Sequence, residues 1–440
     1  MNNTVNLPEN VGLILKRLKE KGFEAYLVGG CIRNILLGIE PKDYDFTTDA
    51  SPEEIISAFP EYKTVTTGIR FGTVTVIIGK EPYEITTYRV DGEYSDNRRP
   101  EGVSFTKSLR EDLKRRDFTV NALAYNPDEG IVDLFGGEND LKNGIIRAIG
   151  DPNKRFNEDG LRILRGLRFA SQYNMKIENE TASSIHRNKE LLKNISAERI
   201  AEELNKLICG NCESVLREFR DVFAVIIPEL SKCFGFEQHT KYHNRDVYEH
   251  IIATVSAIRP EKYLRLAMLF HDIGKPDYFT FSDGVGHFKG HAKGSRQIAE
   301  RFFSSFKYDK STAERAIALI KYHDIVLENR DNLIRRYLNK FGEEMFLDII
   351  EVHIADDMGK APEYRKRINL YNEIRKRTEE IIRDRECFSV KRLEINGKDL
   401  MELGYKGEEI GQELKLLLDM VIEDNSLNKR EILLNKAKRR

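Results

Sequence analysis

Two aspartates separated by one residue, Asp43 and Asp45, follow the segment LVGGCIRNILLG, in which Gly29 and Gly30 end an apolar run and Arg33 stands three residues beyond Gly30. These residue types fit phosphoryl-transfer chemistry. Carboxylate oxygens are hard ligands that suit Mg²⁺, and two metals held in this way activate an attacking hydroxyl and stabilise a departing pyrophosphate. Glycines let a triphosphate approach the backbone, and the N–H groups opening the next helix favour its anionic oxygens. Arg33 adds a forked cation. If residues 43–45 lie on a strand, its period of two points both carboxylates to one face. Glu84, near the start of a later strand, offers a third carboxylate. Singly, a Gly-Gly turn or an Asp-x-Asp is common. The ordered combination is what singles the segment out.

A second group stands further along. In RFNEDGLRILRGLRFAS, Asp159, Arg162, Arg165 and Arg168 recur at three-residue spacing, so they can line one side of a pocket along a helix. Cytosine and adenine both present an amino donor beside a ring-nitrogen acceptor, whereas uracil and guanine present a carbonyl acceptor beside a ring N–H. A carboxylate only accepts and a guanidinium only donates, so Asp159 with Arg162 complements cytosine and adenine and opposes the other two. A third group occupies the C-terminal half: His250 in VYEHIIATV, His271 and Asp272 in LFHDIGKP, and Asp356 in HIADDMG. Imidazole nitrogens and carboxylates brought together by different helices suit a divalent metal and can activate water against a phosphoester.

The elements that must position these groups follow from periodicity. Residues 11–20 read as an amphipathic helix and 25–28 as a short strand running into Gly29. Further strands are predicted at 72–78, 83–88, 120–125 and 131–134, which gives a mixed sheet with flanking helices over roughly the first 150 residues. Residues 89–107 read as a long exposed loop containing Gly92, Pro100 and Gly102. From about Phe156 the pattern is helical almost to the end, with a break near Ile227-Pro228 and a loop over 234–244.

At 440 residues the chain exceeds the roughly 250 to 300 at which one core stops growing, so several domains are predicted. A formal net charge of −1 argues against uniform basic coating. RNA contacts must use local patches such as Arg98-Arg99, Lys114-Arg115-Arg116, 162–168 and the tail from Lys436 to Arg440. Five scattered cysteines do not form a disulfide framework, and the Cys209/Cys212 pair lacks the partners of a zinc site. With no basic-then-apolar leader and no run of about 18 apolar residues, a cytoplasmic protein without membrane contact is predicted.

The segment LVGGCIRNILLGIEPKDYDFTT resembles the signature motif of the class II tRNA nucleotidyltransferases, the CCA-adding enzymes, and of their bacterial poly(A) polymerase relatives. Asn34 departs from it, standing where the family usually carries aspartate, which removes a charge near the phosphates but no metal ligand. EDLKRRDFTVNALAYN, DLFGGENDLKNGIIRAIGDP and RFNEDGLRILRGLRFAS follow in family order. The resemblance implies that Asp43 and Asp45 are catalytic and hold Mg²⁺. It further implies that Gly30, Arg33, Arg116, Arg165 and Arg168 bind the nucleotide, with Gly29, Asp117, Asn121 and Glu84 beside them, and that Asp159 and Arg162 read the base. Gly160 stands where many members have proline or alanine, which loosens the helix start. Residues 89–107 resemble the flexible loop needed for the change from C to A addition.

The order His250, His271-Asp272, Asp356 resembles the HD phosphohydrolase superfamily, a domain found inside certain class II enzymes. His291 and His323 fall where some members add ligands for a second metal, with His287 and Asp324 as neighbours. The segment from Leu393 to Leu434, with Asn396-Gly397-Lys398-Asp399 and glycines at 404 and 411, resembles the family's tail. Together these imply an α+β fold: a small mixed-sheet, polymerase β-like nucleotidyltransferase head (1–150), an all-helical neck that recognises the base (151–227), an HD body (228–375) and a helical tail on tRNA (376–440). The implied activity is template-independent addition of C, C and A to the 3′ end of tRNA from CTP and ATP, with contact to the acceptor arm, and an additional HD phosphohydrolase activity with a divalent metal. The competing readings are a CC-adding or A-adding enzyme, a poly(A) polymerase, an HD phosphohydrolase acting on nucleotide or RNA ends, and a non-catalytic RNA-binding protein.

Overall fold

The structure is a computed structural model that describes residues 7–92, 102–242 and 244–438. It divides into two compact units, Met1–Pro228 and Glu229–Arg440.

The first unit opens with α1 (Glu9–Glu20), β1 (Ala25–Val28), α2 (Gly30–Leu36), β2 (Asp45–Thr48) and α3 (Pro52–Ala58). Next come β3 (Lys63–Val65), β4 (Thr73–Ile78), β5 (Glu81–Thr87), β6 (Arg89–Asp91), β7 (Val103–Phe105), α4 (Leu109–Lys114), β8 (Leu123–Asn126), β9 (Gly130–Asp133) and α5 (Gly137–Lys142). Seven strands form one sheet in the order β3-β4-β5-β2-β1-β8-β9. In it β2 and β5 run parallel, and the other neighbours are antiparallel, so the sheet is mixed as expected. Strand β1, which lies inside the sheet between β2 and β8, is buried at every residue, as a strand covered on both faces must be. Tyr26, Val28, Tyr88, Leu113, Ala124 and Ile149 share one core, which fixes β1 and hence the turn at Gly29 that leaves it.

The same unit continues with β10 (Ile145–Ile146), α6 (Pro152–Glu158), α7 (Leu161–Tyr173), β11 (Lys176–Ile177), α8 (Asn179–Asn188), α9 (Ala197–Ile208), α10 (Glu213–Glu218) and α11 (Arg220–Ile226). The break between α6 and α7 is chemical. Asp151 caps α6 through the Asn153 N–H, with Pro152 at its first turn, a position where proline loses no bond. Asp159 ends α6 in an extended conformation, and its side chain accepts from the Leu161 N–H at 3.0 Å, which starts α7.

The second unit is helical: α12 (Val247–Ala257), α13 (Lys262–Phe270), α14 (His291–Ser305), α15 (Lys310–Tyr322), α16 (Asp331–Phe341), α17 (Glu343–Gly359), α18 (Arg367–Arg383), α19 (Gly397–Glu402), α20 (Glu408–Glu423) and α21 (Arg430–Lys438). Leu264 to Phe270 of α13 are all buried, so this helix is a central member. Ile395, Leu400, Leu417, Val421, Ile422 and Leu433 form a further core in the last helices.

Several expectations are corrected. Residues 89–107 are a two-stranded ribbon at their base, with β6 antiparallel to β7, because Arg89 to Asp91 find a ladder partner in Val103 to Phe105. The tip of that loop, including Arg98 and Arg99, and the terminal Arg439-Arg440 lie outside the described residues. Residues 119–121 form a 3₁₀ turn, and the strand begins only at Leu123. Two small ribbons were not expected, β10 with β11 in the first unit and β12 (Thr280–Ser282) with β13 (Val285–His287) in the second. No helix among the described residues is long and apolar enough to cross a membrane.

Candidate functional site

The turn after β1 opens a cleft of about 410 Å³ in the first unit. Gly29, Gly30, Arg33, Asp43, Asp45, Arg116, Asp117, Asn121, Asp159, Arg162, Arg165 and Arg168 all line it. Residues up to 139 positions apart are thus gathered on one concave surface. Gly29 has φ 75°, and a Cβ there would come within 2.9 Å of an Arg116 guanidinium nitrogen. Both the backbone and the space require glycine.

Asp45 is the first residue of β2, and Asp43 precedes the strand in irregular backbone, so the expectation that one strand carries both is corrected. The ladder gives the reason. β1 pairs with β2 only from Leu27↔Phe46 to Ala25↔Thr48, since β1 turns away at Gly29, and Pro41 cannot donate a ladder bond. The two carboxylates nonetheless face the same cleft. Surrounding protein and the charge of Asp43 push the Asp45 pKa up to about 6, against the opposing pull of Arg116. Glu84 does not line the cleft, but it pairs in register with Asp45 across β2 and β5 and its charge adds to the same repulsion. A divalent cation would relieve this crowding of acids, so the donor set fits a hard metal ion.

The arginines of α7 are each held by an acid. Arg165 reaches Asp117 at 2.6 Å, and Arg168 reaches Glu203 of α9 at 2.9 Å. Asp117 also accepts from the Asn121 amide at 2.9 Å. Burial would raise Asp117, but Arg165 and Asn121 outweigh it and bring its pKa down to about 2. Asp159 and Arg162 line the same cleft without pairing with each other. Asp159 accepts from Arg199 of α9 at 3.0 Å. Arg162 donates to Glu158 at 2.6 Å and to the carbonyls of Arg155 and Arg115 at 3.1 and 2.9 Å. These three bonds leave further N–H groups on its five-donor fork.

The second unit gathers its own ligands. His250, His271, Asp272 and Asp356 form one group with donor atoms within 4.8 Å of one another, and Asp272, His291 and His323 form another. Asp272 belongs to both. Its Oδ2 lies 3.2 Å from the Nε2 atoms of His250 and His271, and its Oδ1 lies 3.1 Å from His291 Nε2 and 3.7 Å from His323 Nε2. A carboxylate so placed can bridge two cations. Helix α12 supplies His250, the end of α13 supplies His271, α14 begins at His291, and α17 carries Asp356.

Behind the nitrogens facing the cluster, His271, His291 and His323 donate Nδ1–H to the carbonyls of Met268, Phe288 and Ile320 at 2.7 to 2.8 Å. Such bonds fix the tautomer that offers Nε2 as a ligand. Burial disfavours a charged His271, but Asp272 and Asp356 push its pKa up to about 9, the response of a base in an anionic cage. His287 and Asp324 are exposed and join neither group.

Several participants escaped the sequence reading. Glu158 adjoins Asp159 and was legible as an acid beside an arginine. Arg199, Glu203 and Tyr173 carried no local signal, being brought in by α9 and the end of α7. Lys275, 2.6 Å from Asp272, and Lys360, 2.7 Å from Asp356, sit on the rim of the second cluster.

Residues 25–147 match the family model of the poly A polymerase head domain. Residues 174–234 match the probable RNA and SrmB-binding site of polymerase A, and residues 289–437 match the putative tRNA nucleotidyltransferase domain 2. The CCA-adding enzyme of Lactobacillus helveticus is 54% identical over 197 residues, 45% of this chain and 49% of that protein. The CCA-adding enzyme of Lactococcus lactis subsp. cremoris is 45% identical over 259 residues, 53% of this chain and 64% of that protein. The chain thus spans about half the length of the first of these relatives. The crystal structure of the Bacillus stearothermophilus CCA-adding enzyme in complex with CTP superimposes with a TM-score of 0.71 at 27% identity, covering 98% of this chain and 96% of that one. A Thermotoga maritima CCA-adding enzyme complexed with tRNA shares the fold, with a TM-score of 0.62 at 19% identity over 98% and 95% of the two chains.

Proposed function

We propose that the chain belongs to the tRNA nucleotidyltransferase and poly(A) polymerase family and that it is a CCA-adding enzyme, which extends the 3′ end of tRNA by C, C and A from CTP and ATP without a nucleic-acid template. One observation carries the reading: a single cleft holds the carboxylate pair, the cationic cradle and the two residues able to read a base.

Asp43 and Asp45 are the catalytic pair and the Mg²⁺ ligands. Divalent ions there supply activation of the 3′-hydroxyl and charge neutralisation at the pyrophosphate. Arg33, Arg116, Arg165 and Arg168 bind the nucleotide, and the open turn at Gly29 and Gly30 lets its phosphates reach the N–H groups at the start of α2. Asp117 and Asn121 orient Arg165 and Arg33. In the reaction the tRNA 3′-oxygen bonds to the α-phosphorus as the bond to the β-phosphate breaks. Asp159 accepts from the amino group of cytosine or adenine while Arg162 donates to the neighbouring ring nitrogen. Their partners Arg199 and Glu158 hold this reading edge ready. The acceptor arm of tRNA is the partner, and the five free cysteines suit a reducing cytoplasm.

The test is extension of tRNA transcripts ending before CCA, after CC and after CCA, with labelled CTP, ATP or both. We expect C, C and A on the first, A on the second and nothing on the third. Asp43→Ala should reduce incorporation at least about a hundredfold. Undiminished incorporation by that variant overturns the assignment, and a pattern confined to C or to A turns it into a restricted enzyme.

A second activity is favoured by one further observation, the bridging position of Asp272 between two histidine groups. His250, His271, Asp272, Asp356, His291 and His323 form a phosphohydrolase centre for 2′-phosphate or cyclic phosphate ends. Phosphate release from a 2′-phosphorylated nucleotide is expected to vanish in Asp272→Ala while CCA addition persists. Release that survives the substitution removes the cluster from the reaction.

A further inference from the structure

Six arginines line the nucleotide cleft: Arg33, Arg115, Arg116, Arg162, Arg165 and Arg168. Five have an acid close by. Arg115 and Arg116 lie 2.9 and 3.6 Å from Asp112, Arg162 lies 2.6 Å from Glu158, Arg165 lies 2.6 Å from Asp117, and Arg168 lies 2.9 Å from Glu203. Arg33 is 6% exposed, as buried as Asp117 at 7% and Arg162 at 8%, yet its hydrogen-bond partners among the described residues are all neutral.

The cage around it has four walls. Nε and one terminal nitrogen of Arg33 donate to Asn34 Oδ1 at 3.3 and 3.0 Å, and the other terminal nitrogen donates to Asn121 Oδ1. The Asn121 amide is committed to Asp117 at 2.9 Å, which leaves its oxygen for Arg33. From the last residue of α7, the Tyr173 hydroxyl accepts from Arg33 at 2.6 Å and donates to Asn34 at 3.1 Å. The rings of Tyr173 and Phe169 lie 4.5 and 4.9 Å from the guanidinium carbon. A guanidinium that is buried, ringed by neutral dipoles and bonded to no carboxylate, with the charge of Asp117 acting on it from beyond hydrogen-bond contact, is costly in the free protein. Its full charge is then available to an anion in the cleft.

We propose that Tyr173 is a positioning residue for triphosphate binding: its hydroxyl and ring hold Arg33 at the phosphates without neutralising it, and they tie the end of α7 to the catalytic α2. An acid in the same place would hold Arg33 as firmly and cancel the charge that the nucleotide needs. Tyr173 acts through Arg33, and the inference rests on the reading that the cleft takes a nucleoside triphosphate.

The test uses the full chain with Mg²⁺ and two probes, CTP and inorganic tripolyphosphate, titrated calorimetrically without tRNA. Tyr173→Phe keeps the ring and removes the hydroxyl. It should weaken both probes about fivefold to tenfold, and Tyr173→Leu, which also removes the ring, should weaken them further. In steady-state addition the Tyr173→Phe loss should appear in KM for CTP, with kcat within about twofold. In an Arg33→Lys background, Tyr173→Phe should change the affinity of either probe less than about twofold. Wild-type affinity in Tyr173→Phe overturns the proposal, and so does an equal loss in the Arg33→Lys background. If wild-type protein itself binds no CTP, the functional reading fails instead.

Discussion

Asp159 and Arg162, proposed above to read the base, show how neighbours would prepare a residue for that role. Their types suffice to discriminate base edges, but an unrestrained carboxylate or guanidinium would turn to meet whichever base arrived. Arg199 pins Asp159 from α9 at 3.0 Å, and Glu158 with two carbonyls pins Arg162. Arg199→Ala should therefore release Asp159 while leaving Asp43 and Asp45 untouched. Incorporation of UTP and GTP relative to CTP and ATP should rise about tenfold, the size of one charge-assisted hydrogen bond. Single-turnover addition with each of the four nucleotides measures this. Unchanged selectivity would mean that Asp159 is held by its bond to the Leu161 N–H alone. The contrast with Arg33 is instructive: within one cleft, the other five arginines have an acid close by, whereas the hydrogen-bond partners of Arg33 are neutral.

At the scale of elements, much of the site was legible because local chemistry decides it. The apolar run before Gly29 had to be a strand and the glycine had to turn. What failed was set by partners distant in sequence. Whether Asp43 joins the strand of Asp45 depends on where β1 stops, and residues 89–91 form a strand only because 103–105 meet them. Residues 120–125 were read as strand, yet the 3₁₀ turn over 119–121 is what presents Asn121 to Arg33. The set and order of His250, His271-Asp272 and Asp356 pointed to a group able to hold a metal but not to its sharing of Asp272, which requires α13, α14 and α17 to converge. Gly359 ends α17. A Cβ there would come within 2.7 Å of the His250 ring, so its close approach is part of the histidine's setting.

At the scale of the molecule, the two compact units each carry their own acidic cluster, so metal binding at one should be separable from chemistry at the other. A cation that binds only the folded second unit stabilises it by RT ln(1 + [L]/Kd), about 2.7 kcal/mol at a hundredfold excess over Kd. For a unit of this size that raises the melting temperature by about 5 to 10 °C. Asp272 and Asp356 lie well below the usual carboxylate range and are ionised at neutral pH. His271, pushed up to about 9, carries a proton there until metal displaces it. Its raised pKa means that the proton-dependent share of stability is complete below its unfolded value near 6.5 and fades as the pH climbs through 9. Metal affinity runs the opposite way, strengthening from pH 6.5 to 9 as less proton must be displaced. Calorimetric melting with Mn²⁺ across that range should show a shift that grows with pH and disappears in Asp272→Ala, while tRNA extension by that variant in Mg²⁺ stays at the wild-type rate. A shift that survives in Asp272→Ala would place the stabilising ion elsewhere, and a loss of extension would mean that the two clusters are coupled rather than independent.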